Sequence, residues 1–246
     1  MPTRNVLTVS RRVYWQLRRD LRTLTLFIIS PALVMIVLYG MLSPSPDTFN
    51  RCGLLVVGLF PSAPGFLFSS FMVHAERRSG TMEHLLTTPA SPGDILFGYI
   101  IGFSLPAMVQ TALSLSLALG PLGLDVLGPW WAIALLALLN AGLGVVMGVA
   151  ATALARTEFA LVLSLPPIAL PHLVLSGLFR PYDEMVGWQQ AIATVLPWRF
   201  AVSGLSELLH HRSVTAALLL NVGILAGICV LLAALSVRTV FVRRTA

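Results

Sequence analysis

Lysine is absent from this chain of 246 residues, and all 16 of its basic residues are arginine. A phosphate-binding loop of the G-x-x-x-x-G-K-[ST] kind needs its lysine on the nucleotide, so these residues hold no such loop. Lysine Schiff-base chemistry is excluded for the same reason. Any ATP-driven work must be powered from another polypeptide. Charge of either sign is scarce: charged residues make up 11% of the chain, against about a quarter in soluble domains. That is too little for a surface facing water on all sides. Cysteine is nearly missing as well. Cys52 and Cys229 lie in separate apolar blocks without metal-ligand spacing, and both read as small buried apolar side chains.

What the chain does have is hydrophobicity gathered into long charge-free blocks. Hydrophobic residues make up 57% and the mean hydropathy is +0.86, the profile of a polytopic membrane protein. About 20 apolar residues cross a bilayer core. Uncharged intervals at 23–46, 52–75, 95–124, 126–155, 159–179 and 213–237 hold six spans, the first running from Thr23 to Leu42. The interval 185–198 differs, with only 14 uncharged residues, among them Trp188, Gln189, Gln190, Pro197 and Trp198. A run of about 10–14 residues reads as re-entrant or interfacial, so region 180–212 is expected to form an outer re-entrant excursion between the fifth and sixth spans. The expected fold is all-α and integral to the membrane, a single domain over residues 1–246.

A net charge of +6 with a pI near 10.3 could suggest nucleic acid, but the arginines flank apolar spans and mark topology instead. With the N-terminus inside, inner segments carry Arg4, Arg11, Arg12, Arg18, Arg19, Arg22, Arg77, Arg78, Arg156, Arg238, Arg243 and Arg244. Outer segments carry only Arg51, Arg180, Arg199 and Arg212. Both termini are therefore expected to be cytoplasmic, and so is loop 74–94. Residues 4–22 form a basic amphipathic segment in which Val6, Val9, Val13, Leu17, Leu21 and Leu24 recur at helical steps. Tyr14 and Trp15 are interfacial aromatics. Such a helix is expected to lie in the headgroup plane of an anionic leaflet, among membrane lipids. Its long positive region and the lack of a small-residue cleavage site argue against a cleavable signal.

Loop 74–94 is the one long hydrophilic interruption in the first two-thirds of the chain. Residues 81–86 are helix-compatible, with Met82, Leu85 and Leu86 on one face, and Pro89 limits them. Ser91, Pro92 and Asp94 then supply an N-cap, a first-turn proline and an acid three residues after the cap. A short helix projecting between two spans is a rigid knob able to pass force from a partner to the helices.

The run Glu76-Arg-Arg-Ser-Gly-Thr-Met-Glu-His-Leu-Leu-Thr-Thr-Pro-Ala-Ser-Pro92 resembles the E-x-x-x-G-T-x-E-x-L-x-x-T-P-x-S loop of ABC-2 type transporter permeases. These are the membrane subunits of bacterial exporters for drugs, lipids and polysaccharides. Residues 153–157, Ala-Leu-Ala-Arg-Thr, resemble the inner end of their fourth span. Residues 176–181, Ser-Gly-Leu-Phe-Arg-Pro, together with Leu196 and Pro197, resemble their outer re-entrant region. The resemblance implies a bacterial plasma-membrane permease that pairs with a second permease subunit and docks on a separate ABC ATP-binding subunit. ATP and magnesium would sit on that partner, with no cofactor on this chain. It further implies that Gly80, Thr81, Glu83, Leu86 and Pro89 form the coupling helix, with Glu76 and Arg78 leading into it, and that residues 4–22 are the interfacial elbow. Two departures stand out. Tyr99 follows Gly98 where the family often has a basic residue, and Leu196-Pro197 stands for the usual Asn-Pro.

Several intramembrane polar residues are candidates for a substrate path or gate. His172 follows Pro166, Pro167 and Pro171; it reads equally as a neutral imidazole bonded to a proline-freed carbonyl. Gln110 and Asn140 would hydrogen-bond across helices or line the path, and Trp188 and Pro197 lie in the outer excursion. Gly144 and Gly148 form a close-packing pair. Two rival functions remain open: a membrane-embedded lipid-modifying enzyme using His172 and the outer acids Asp183 and Glu184, and an ATP-independent carrier. Adjacent acids on one loop lack the facing geometry of paired catalysts.

Overall fold

The computed structural model describes residues 2–80, 90–152, 157–178, 180 and 182–237. Its elements are α1 (Pro2–Arg19), α2 (Leu21–Leu42), α3 (Pro46–Leu59), α4 (Ser62–Arg78), α5 (Pro92–Leu119), α6 (Trp130–Ala151) and α7 (Glu158–Leu175). A 3₁₀ turn (Tyr182–Glu184) leads into the short helices α8 (Gly187–Ala193) and α9 (Pro197–His210), and α10 (Ala216–Ser236) follows. Six stretches among the described residues are long and apolar enough to cross a membrane: Leu24–Leu42, Pro46–Arg78, Pro92–Leu119, Trp130–Ala151, Glu158–Leu175 and Ala216–Ser236.

The second span extends further than its uncharged interval suggested. It begins at Pro46 and includes Asp47 and Arg51 at one end, where charged side chains reach the polar edge of the bundle. It also breaks in the middle. Pro61 has no N–H to give Val57, and the chain turns at Phe60–Pro61 before α4 resumes, with the Ser62 hydroxyl donating to Leu59 O at 2.7 Å.

α4 packs against α6 through missing side chains. A Cβ on Gly144 would lie 2.0 Å from Ser62 O, and one on Gly148 would lie 2.2 Å from Phe66 O. From the other side, a Cβ on Gly65 would lie 2.8 Å from Ala141 O. The backbones are therefore in contact, and Ser69 Oγ donates across the crossing to Val145 O at 2.9 Å. In lipid, where apolar surface gains little by leaving the solvent, such close van der Waals approach is what holds helices together.

α1 was expected to lie in the headgroup plane, and its apolar face packs on protein. Val9, Val13 and Leu17 are buried, and they sit on a shelf formed by Gly98 and Gly102 of α5. A Cβ on Gly98 would come within 2.5 Å of Val9, and one on Gly102 within 2.6 Å of Val13. What α1 leaves exposed are Leu7, Trp15 and the arginines Arg11, Arg18 and Arg19.

The two ends of the bundle differ in composition. Ala233 and Val237, near the end of the described chain, join Val9, Ile95, Tyr99 and Val149 in one buried cluster. The N-terminal helix, the start of α5, the end of α6 and the end of α10 thus share the end that carries loop 74–94. The distal end holds the start of α3, the 120–129 turn and the 180–212 region. The interval expected to be re-entrant is two short helices, and α9 buries Ala201, Val202, Leu205 and Leu208 against the bundle.

Candidate functional site at the base of the 74–94 loop

The loop begins where α4 ends. Ser79 caps that helix, and Gly80 follows at φ +70°, a left-handed conformation that glycine adopts without a Cβ clash. At the other side, Ser91 and Asp94 close the expected capping box. Ser91 N donates to Asp94 Oδ2 at 2.9 Å, and Asp94 N donates to Ser91 Oγ at 3.1 Å. Pro92 occupies the first turn of α5. The positions between, Thr81 to Pro89, lie outside the described residues, and Glu83, Leu86 and the expected short helix lie with them.

Beneath the loop, the last turn of α4 is tied to three other helices. Glu76 is 5% exposed, although it is an acid at the end of a span. Arg12 Nη2 of α1 donates to Glu76 Oε1 at 2.7 Å, and the Tyr99 hydroxyl of α5 donates to Glu76 Oε2. The Gln16 side chain reaches the same carboxylate. One residue on, Arg77 Nη1 donates to Thr152 O at 2.7 Å, at the cap of α6. Among the described residues Arg78 makes a long contact to Glu158 at 4.0 Å, with both side chains well exposed, and such pairs contribute little. A buried carboxylate is costly unless its oxygens are paired and hydrogen-bonded. Here both are, which locks α1, α4 and α5 at one point.

Two of these partners were not singled out from the sequence. Arg12 was counted only as a topology charge, and Tyr99 was noted only as a departure from the family pattern. The signal lay in their register. Arg12 is one position before the buried Val13, and Tyr99 is one after the shelf glycine Gly98, so both side chains flank the α1–α5 seam.

The proposed path residues do not converge. Gln110 and Asn140 are fully buried in α5 and α6. Asn140 Nδ2 donates to Leu136 O within its own helix, so its bond does not cross between helices. The Gln110 amide and Asn140 Oδ1 have no partner among the described residues. His172 lies elsewhere, in the seam between α4 and α7. Its Nδ1 is 2.7 Å from Ile168 O, a carbonyl that none of the prolines frees; those would be Val162, Leu163 and Pro167. Its ring meets Trp198 edge to face at 5.7 Å. Pro197 is buried at the first turn of α9, next to Trp198, whereas Trp188 is 62% exposed. The cavity around His172 has no acidic lining residue, and Asp183 lines a different one at the distal end.

Six apolar stretches long enough to span a membrane, with an amphipathic helix docked beside the base of loop 74–94, define a multi-pass membrane protein. The chain belongs to the ABC-2 type transporter family, whose model matches residues 4–210. It is 26% identical over 159 residues to the probable multidrug ABC transporter permease YbhS of Escherichia coli (strain K12), a match spanning 64% of this chain and 42% of that protein. It is 30% identical over 141 residues to the inner membrane transport permease YhhJ of the same strain, across 55% of this chain and 37% of that protein. The matches thus span less than half the length of these relatives.

Proposed function

We propose that this chain is the permease subunit of an ATP-driven exporter in the bacterial plasma membrane. It pairs with a second permease subunit, and a separate ABC ATPase docks on its cytoplasmic 74–94 loop. Both termini face the cytoplasm, as the arginine distribution suggests. The cargo is hydrophobic or amphipathic and leaves from the cytoplasm or the inner leaflet. ATP and magnesium bind on the partner, because these residues include no lysine for a phosphate loop. Glu76, Arg78, Gly80, Thr81, Glu83, Leu86 and Pro89 are the coupling residues in this reading.

The observation that carries the proposal is the tie at Glu76. A push on the loop by a closing ATPase would meet α4 directly. Through Glu76 it would also meet α1 and α5, and through Arg77 the end of α6. A loop fixed to four helices moves them as a unit; a loop on a frayed helix end would absorb the motion. The test is co-purification with the candidate ATPase, followed by substrate-stimulated hydrolysis in vesicles. Glu83→Ala should weaken assembly, and Gly80→Pro should impair transport even where assembly survives. Unchanged assembly together with unchanged transport would remove the coupling role. An enzyme using His172 with the outer acids gains no support, because His172 and Asp183 line separate cavities.

A further inference from the structure

His172 is buried within the fifth span, and one of its two ring nitrogens is left open. Nδ1 sits 2.7 Å from Ile168 O. A carbonyl only accepts, so Nδ1 carries the proton of that bond. Nε2 is buried and has no partner among the described residues, in a residue that is 8% exposed. Because Nδ1 turns back to its own helix, Nε2 faces away from α7, toward a cavity of about 30 Å³ that the ring lines. No carboxylate stands among the described lining residues, and a charge buried there would go unpaired. The ring is therefore neutral and Nε2 is a bare acceptor. Ser62 supplies the one hydroxyl among those residues, and it donates to Leu59 O at 2.7 Å. A buried acceptor left open in this way calls for a donor from outside the chain.

The cavity continues beyond the α4–α7 seam. Two of its lining residues, Ala63 of α4 and Trp198 of α9, also line an apolar slot of about 260 Å³. The slot follows the chain from Cys52 to Ala63, a rise of about 16 Å at helical spacing. Leu38 of α2 and Leu173 of α7 form further walls. Trp198 belongs to both spaces, and its ring meets His172 edge to face at 5.7 Å. Ser62 and Ala63 fall at the middle of the Pro46–Arg78 span. The open acceptor thus lies deep in the bilayer, while the Cys52 end of the slot lies nearer the distal surface. A membrane phospholipid has the opposite polarity, since its headgroup stays outside the hydrocarbon core and only its chains reach this depth.

We infer that slot and cavity form one binding site for a neutral molecule with an apolar body and a hydroxyl. The hydroxyl donates to His172 Nε2, and the body lies along α3 toward Cys52. The inference rests on the permease reading, for which it names the cargo class as a hydrophobic alcohol. One placed polar group in an apolar pocket fixes the orientation of such a ligand. The walls select against a charged head, because no described lining residue would pair with it.

Cys52 lines the slot and reports its occupancy. The full chain carrying Cys229→Ser is placed in lipid nanodiscs and alkylated at Cys52 by N-ethylmaleimide, while dodecanol, dodecyl methyl ether or dodecane is titrated in. The ether keeps the body and loses the donor. The alcohol should halve the labelling rate at a concentration about five-fold lower than the ether does, the worth of one neutral hydrogen bond. His172→Phe, which keeps a ring and removes the acceptor, should abolish that difference. Equal potency of the three compounds, or no slowing by any, overturns the assignment in favour of ordinary lipid chains. A preference for the alcohol that survives His172→Phe overturns the role of Nε2. The comparison of alcohol with ether needs no variant at His172, so it decides the matter even where His172→Phe fails to accumulate. If Cys52 is unreactive, NMR of the protein with isotope-labelled histidine takes its place. Dodecanol should then shift a buried Nε2 resonance that the ether leaves unmoved; no shift with either refutes the site and leaves the cavity to water. Neither measurement needs an ATPase, so the site can fail while the coupling proposal stands, and the reverse.

Discussion

The loop end and the distal end of this bundle handle charge in opposite ways. At the loop end the acid Glu76 is buried, and Arg12 and Tyr99 meet both of its oxygens. At the distal end, the Asp47, Asp125 and Asp183 carboxylates stand exposed around an open chamber without side-chain partners among the described residues, while Arg51 binds carbonyls and Arg199 a tyrosine ring. The loop end pairs its buried acid across three helices; the distal end leaves three acids unpaired among the described residues, while Arg51 and Glu207 still bridge elements there. Close packing at glycine is shared by both ends: α1 meets α5 at Gly98 and Gly102 near the loop, and α3 meets α9 at Gly58 and Leu205 toward the distal end.

The sharpest way to break this contrast is Arg12→Ala. It leaves Glu76 buried without its cation, and one-sided removal of a buried pair costs about 3–5 kcal/mol. Thermal unfolding in detergent should register that loss, and Arg12→Met with Glu76→Met should recover most of it. The next largest effect is expected from Gly148→Val, whose side chain would overlap Phe66 O and the Ser69 hydroxyl. Overpacking of that kind costs about 1–3 kcal/mol or more, and the variant should unfold earlier or fail to accumulate in the membrane. Tyr99→Phe removes one hydrogen bond to a charged acceptor, for about 1.5–3 kcal/mol at most, read by the same melting curve. Asp125→Asn at the other end should change stability by less than about 0.5 kcal/mol, because its side chain is exposed and makes no hydrogen bond among the described residues. A large loss there would end the division between a structural end and a free end.

The six spans were legible because the bilayer imposes a length, and only charge-free runs meet it. The capping box at Ser91 was legible for a similar reason, since helix starts have local chemistry. Gly144 and Gly148 announced a close crossing without naming the partner, which proved to be Ser62 and Phe66 of α4. Tertiary pairings were hidden. Arg12 and Glu76 lie 64 residues apart, and nothing local distinguishes Arg12 from its neighbour Arg11. The apolar face of α1 was legible as a face, but the sequence does not say that Gly98 and Gly102 lie beneath it. Within the site, Gln110, Asn140, Trp188 and His172 were grouped by polarity or position alone, and the fold disperses them. The break at Phe60–Pro61 was missed as well, since a single proline in an apolar run is tolerated in membrane helices.

In the proposed coupling, Glu76 and its partners tie the base of loop 74–94 to neighbouring helices, so that force on the loop reaches them together. The most direct test is transport per ATP hydrolysed in vesicles holding the chain, its ATPase and the double variant Arg12→Met, Glu76→Met. The variant replaces the tie with apolar packing and should stay folded and assembled. Hydrolysis should continue while transport falls at least about ten-fold, a loss near 1.4 kcal/mol of coupling. Transport and hydrolysis remaining in their original proportion would contradict it.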